Sequence, residues 1–124
     1  MIQIVKDSDT RPWFFLQTAH TTYGMWVMET GHLEHLYYGE RITVDSQDPA
    51  SCAPLVIQRG FAPGNTCTYD KEHPHISMED VCLEVGTLGK GDIREPFLEV
   101  RFTDGSVTSD FTFDSYEVIT LKER

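Results

Sequence analysis

The feature that most constrains this chain is the alternation between Pro96 and Phe113. After Pro96, Leu98, Val100 and Phe102 are apolar at every second position. Asp104-Gly105 then supplies a pair that tolerates positive φ, and Val107, Phe111 and Phe113 resume the pattern. A period of two marks strands with one buried face, and Asp-Gly between them marks a tight hairpin. A two-residue loop pairs Thr103 with Ser106 and places Phe102 opposite Val107, Val100 opposite Ser109 and Leu98 opposite Phe111. That register gathers these six residues on one face and leaves Glu99, Arg101, Thr108 and Asp110 on the other.

Further short strand patterns fall near 2–5, 13–18, 24–29, 33–38, 54–58, 81–85 and 116–121. Turn signals punctuate them at Asp7-Ser8-Asp9, Thr30-Gly31, Tyr38-Gly39-Glu40, Asp48-Pro49, Ala62-Pro63-Gly64-Asn65 and Asp104-Gly105. This spacing predicts an all-β, antiparallel sandwich or barrel. Around Ser77–Val85 helical and strand spacing compete, since Ser77-Met-Glu-Asp resembles a capping box; we favour a turn followed by a strand. The loop from about Gly60 to Ile76 is long for a compact domain, which reads either as a functional segment or as a surface excursion.

At 124 residues the chain has the size of one domain and enough length to bury a core without disulfides. The formal charge of −10 gives no basic stripe, so neither nucleic acid nor an anionic membrane is expected as a partner. The apolar start Met-Ile-Gln-Ile-Val meets Lys6 at once, too early for a signal peptide. Cys52, Cys67 and Cys82 are odd in number and evenly spaced, which fits three reduced thiols and a cytoplasmic location better than disulfides or zinc.

His32, His35 and Glu40 suggest a metal site at first sight. Residues three apart on a regular strand point to opposite faces, so we expect no metal there, and no cofactor elsewhere. Asp92 and Arg94 are expected to brace the turn at Gly89–Gly91 that leads through Pro96 into the next strand. Trp13, Trp26, Tyr23, Tyr37, Tyr38 and Tyr69 are candidate sugar platforms, weighed against ordinary core roles. No nucleophile motif or phosphate loop is present in the sequence, and no pair of carboxylates is singled out for glycoside hydrolysis.

Two segments together resemble the N-terminal domain of bacterial α-galactosidases of glycoside hydrolase family 36. They are Thr30-Gly-His-Leu-Glu-His-Leu-Tyr-Tyr-Gly-Glu-Arg-Ile42, and Gly89-Lys-Gly-Asp-Ile-Arg-Glu-Pro96 followed by Thr108-Ser-Asp-Phe-Thr-Phe113. The resemblance implies a β-supersandwich of the galactose-mutarotase-like kind, 1–124 forming one N-terminal domain. In the family it precedes a catalytic (β/α)8 barrel that removes terminal α-linked galactose from sugars such as melibiose and raffinose by a retaining mechanism. The chain stops at Arg124 and matches no catalytic motif of the family, so no catalytic residue is carried over. The expected role is a scaffold for its own barrel and for a homo-oligomer, inactive alone; the alternative is a free-standing carbohydrate-binding module. The resemblance also implies that a loop of this domain walls a neighbouring subunit's sugar pocket. By position that is Arg59 to Ser77, with Arg59, Phe61, Asn65 and His73 as candidate contacts and Asp92, Arg94 and Pro96 as structural residues.

Overall fold

A computed structural model describes residues 1–6, 11–56, 68–78, 81–92 and 95–121, with residues 91 and 92 described by backbone alone. Its centre is a four-stranded antiparallel meander, β1 (Ile2–Lys6), β2 (Pro12–Gln17), β3 (Thr21–Val27) and β4 (Leu33–Glu40), in the order β1-β2-β3-β4. The expected all-β antiparallel class is what forms, and these four strands begin and end within three residues of their sequence patterns.

Alternation divides the sheet into two faces. Val5, Trp13 and Phe15 point to one side, where they pack with Cys52, Trp26, Leu36, Val44, Leu55 and Val56. Gly24 gives the Phe15 ring room to lie across β3, since a Cβ at that position would stand 3.0 Å from the ring and force it to shift. The buried Glu34 shares this face and accepts a hydrogen bond from Trp26 Nε1 at 3.4 Å. Phe14 points to the other side. Phe113 and Tyr116 cover it, with ring centroids at 5.9 and 5.1 Å.

The β3–β4 connection is a three-residue loop. Met28 N–H donates to His32 O, Gly31 N–H donates to Met28 O, and Gly31 takes φ +88°. This is a three-residue hairpin loop closed by a left-handed glycine, one of the favoured hairpin connections. Segment 81–85 then runs antiparallel beside β4. His35 N–H donates to Cys82 O, Glu84 N–H donates to Leu33 O, and Glu34 bridges Leu83. The strand reading of 81–85 therefore holds in its pairing. A second cluster of Met28, Ile76, Met78 and Val81 packs beneath that edge with Trp26, Tyr69 and Leu83.

Three strand expectations need correction. Pro54 and Leu55 belong to a 3-10 helix, Pro49–Leu55, rather than to a strand over 54–58. Asp48 starts it by accepting from Ala50 N–H, and Pro49 sits where no donor is needed. The hairpin at Asp104-Gly105 forms with a different loop. Phe102 N–H donates to Ser106 O, Gly105 N–H donates to Phe102 O, and Gly105 has φ +90°. Phe102 therefore faces Ser106 instead of Val107, a one-residue change that reverses the side assignments of one arm. Asp104 reinforces this turn by accepting from Ser106 N–H at 2.9 Å and Ser106 Oγ at 2.7 Å. Beyond the turn no ladder joins the arms among the described residues, and Leu98, Phe102 and Phe111 stay exposed. Residues 116–121 likewise form no strand and expose Val118, Ile119 and Leu121. In place of mutual pairing, Phe97 N–H donates to Gly86 O and Phe113 N–H to Gly31 O, so this segment lies along the rest of the fold.

Candidate functional site

Two polar–aromatic clusters are built on β3 and β4. The first sits at their connecting turn. His32 follows Gly31 and is 1% exposed. Its Nε2 donates to Asp110 Oδ1 at 2.5 Å, and its Nδ1 lies 2.7 Å from Thr30 Oγ1. Tyr69 donates its hydroxyl to the second oxygen of Asp110 at 2.7 Å and stands edge-on to the His32 ring at 4.9 Å. Lys90 Nζ lies 4.9 Å from the centre of the Tyr69 ring. One carboxylate thus ties the β3–β4 turn, the 68–78 segment and the C-terminal segment together.

The electrostatics follow from that geometry. Burial pushes the Asp110 carboxyl up, but hydrogen bonds from His32 and Tyr69 outweigh it and hold it below the usual range. The same bond to Asp110, helped by burial, pushes the Tyr69 phenol up to about 12. Segment 68–78 is fixed further by Tyr69 N–H to Ile76 O at 2.8 Å and by a His75–Glu29 ion pair.

The second cluster depends on an irregularity. Tyr37 pairs with Gly24 and His35 with Met25, so Leu36 is an extra residue in β4. A bulge of this kind shifts the alternation by one position. His35 and Tyr38, three apart in sequence, therefore share one face with Tyr23. The Tyr23 ring lies 4.9 Å from His35 and 5.9 Å from Tyr38. Glu84 of the neighbouring segment accepts from Tyr23 OH at 2.6 Å and pairs with His35 Nδ1 at 3.2 Å. The hydrogen bond to Glu84, followed by burial, pushes the Tyr23 phenol up to about 12. Gly39 shapes the other face, because the Tyr37 hydroxyl occupies space 2.8 Å from where a Cβ would stand.

Of the candidate loop contacts, Arg59, Phe61 and Asn65 lie outside the described residues. His73 is half-buried, and its Nδ1 lies 2.8 Å from Asp70 Oδ1 within its own loop. The Arg94 backbone and the side chains of both Asp92 and Arg94 also lie outside the described residues. A tight turn spans Thr87 to Lys90, with Gly89 at φ +77° and Lys90 N–H donating to Thr87 O, one step before the expected turn at Gly89–Gly91. Pro96 precedes the Phe97–Gly86 bond that redirects the chain. His32 and His35 engage different carboxylates, Asp110 and Glu84. Among the described residues no three His, Cys, Asp or Glu side chains are grouped to hold a metal ion.

Sequence reasoning missed Asp110 as a junction. It was assigned to a polar outer face of a hairpin that does not form as a ladder. It also missed the joining of His35 with Tyr38, because a strict period of two hides a bulge.

Comparison with known proteins places these features in a family. The model of the glycosyl hydrolase family 36 N-terminal domain matches residues 31–124. The bifunctional α-galactosidase/sucrose kinase AgaSK of Mediterraneibacter gnavus is 38% identical over 111 residues, covering 90% of this chain and 11% of that protein. The α-galactosidase AgaA of Geobacillus stearothermophilus is 25% identical over 90% of this chain and 14% of its own length. Among solved structures, the α-galactosidase from Lactobacillus brevis superposes with a TM-score of 0.73 at 30% identity, covering 91% of this chain and 14% of that one. The galactosidase domain of AgaSK gives a TM-score of 0.69 at 30% identity, covering 92% of this chain and 15% of its own. The chain spans less than a sixth of each of these proteins, and by the match over 31–124 it belongs to the glycosyl hydrolase family 36 N-terminal domain family.

Proposed function

We propose that this chain is the N-terminal, non-catalytic domain of an α-galactosidase. In this reading it supports a catalytic barrel in a longer polypeptide that hydrolyses terminal α-linked galactose, as in raffinose and melibiose. The observation that carries the reading is the family match across 31–124 by a chain that covers a small share of each relative. The surface supports it. Phe97, Leu98, Phe102, Phe111, Ile119 and Leu121 form an exposed apolar series along the C-terminal segment. Surface of that kind is costly in water and suits a contact with a barrel or a neighbouring subunit of a homo-oligomer.

The loop from Arg59 to Ser77 is then the segment offered to a neighbouring sugar pocket, with its second half tied down through Tyr69, Asp110 and His75. A cytoplasmic location accords with the free thiols of Cys52 and Cys82.

The test is hydrolysis of a chromogenic α-galactoside. The 124-residue chain alone is expected to be inactive, and a longer protein that carries it before a barrel is expected to be active. Turnover by the isolated chain that disappears when one of its own carboxylates is replaced overturns the non-catalytic assignment.

A further inference from the structure

We propose that the Tyr23–His35–Tyr38–Glu84 cluster is a galactosyl-binding subsite of this domain. The ligand class rests on the α-galactosidase reading; the site rests on its own geometry. Tyr38 is 70% exposed near the end of β4, the last strand of the sheet, and pairs there with Tyr23 of β3. Its neighbour Tyr23 is half-buried and held by Glu84 at 2.6 Å, so the two rings form a corner with one fixed wall and one open wall. The two ring planes are inclined at 55° to each other. Fixing Tyr23 in advance removes part of the ordering cost of binding.

The polar edge of the corner is already oriented. His35 Nδ1 faces Glu84, which leaves the Nε2 side of a ring that is 29% exposed for a ligand hydroxyl. Glu84 is acceptor-only when ionised, and its two oxygens are aimed by Tyr23 and His35. Further lone pairs on those oxygens can accept from sugar hydroxyls.

This mixture discriminates between partners. An apolar protein surface pressed onto the corner strips water from the Glu84 carboxylate and returns no donors, which is unfavourable. A galactosyl ring answers both halves. Its axial C4 hydroxyl leaves one ring face rich in C–H groups, and that face suits the open Tyr38 ring. Its remaining hydroxyls point outward to His35 and Glu84. A glucosyl ring carries an equatorial C4 hydroxyl and lacks that continuous apolar patch. The site therefore favours galactosyl over glucosyl ligands.

The test is NMR titration of the 124-residue chain with methyl α-galactoside, and with methyl α-glucoside as comparator. Saturable binding with a Kd on the order of 1 mM is expected for so small a ligand on a shallow site, with weaker binding of the glucoside. Tyr38→Ala is expected to weaken binding about tenfold, the loss of one stacked ring, with an unchanged melting temperature because the ring is exposed. His35→Ala, checked by its own melt, is expected to reduce binding as well. Absence of saturable binding, equal binding of both sugars, or undiminished affinity in Tyr38→Ala overturns the subsite. The parent reading fails separately, through lack of α-galactoside hydrolysis by the longer protein.

Discussion

Asp110 holds His32 through a 2.5 Å hydrogen bond that closes 78 residues of chain. The ring is buried and cannot exchange this acceptor for water. The same carboxylate receives Tyr69, so its loss releases two donors at once. Asp110→Ala is expected to cost roughly 1–3 kcal/mol, the range for leaving a buried donor unsatisfied. Urea unfolding followed by far-UV circular dichroism reads the change. A variant as stable as the parent contradicts the clasp.

The pH dependence has a definite sign. Asp110 is held below the usual carboxylate range in the folded chain. A group with a lowered folded pKa contributes stability that is fully present above its unfolded pKa and is lost as pH falls through the folded value. Below roughly pH 4 the parent should lose stability more steeply than Asp110→Asn, which has no proton to gain there. Parallel acid titration curves for the two proteins refute this contribution.

Tyr23 and Tyr69 give the opposite sign. Both phenols are pushed up to about 12 by a carboxylate acceptor and burial. A raised folded pKa contributes stability that is present below the unfolded value near 10 and is lost as pH rises through about 12. Alkaline ultraviolet titration should show these two of the five tyrosines ionising late. Tyr23→Phe and Tyr69→Phe should each remove one late transition. Late ionisation that persists in both variants rules out the assignment.

The sheet was legible because β1 to β4 are short runs rich in apolar and aromatic residues, although burial is nearly continuous along β2 and alternates only over part of β3 and β4. The β3–β4 turn and the Phe102–Ser106 turn have the same hydrogen-bond pattern and the same left-handed glycine. Only the first continues into a ladder, because Val27 pairs with Leu33 and both arms pack on neighbours. Local turn chemistry therefore fixed the place of each bend but not whether its arms pair. The loop length was misjudged because Asp-Gly serves equally in a two-residue and a three-residue turn. The His32–Asp110 clasp had no local signal, since it joins residues 78 positions apart in the chain. The family resemblance was legible from Thr30–Ile42, Gly89–Pro96 and Thr108–Phe113, which contain the β3–β4 turn with His32 and its partner Asp110.

Two of the left-handed glycines, Gly31 and Gly105, separate backbone strain from crowding. At Gly105 a Cβ meets nothing within 4 Å, so Gly105→Ala should cost only the positive-φ penalty, about 1–2 kcal/mol. At Gly31 a Cβ also lies 3.3 Å from the Thr112 side chain. Gly31→Ala should therefore cost more, and Thr112→Ala should recover part of that excess without helping Gly105→Ala. Equal costs at the two sites, measured by thermal melts, rule out the close approach of Thr112.

The cysteines provide a direct probe of the core. Cys52 sits in the 3-10 helix and packs with Val5, Trp13 and Phe15, whereas Cys82 is exposed beside β4. Burial pushes the Cys52 thiol up, which lowers the thiolate fraction as well as the access of a reagent. In a Cys67→Ser background, an aromatic disulfide reagent at neutral pH should label Cys82 quickly and Cys52 only as fast as the fold opens. Denaturant should make the two rates converge. The Cys52 rate in native buffer then measures opening of the Val5–Trp13–Phe15 core. Equal fast labelling of both thiols in the folded protein is incompatible with Cys52 in that core.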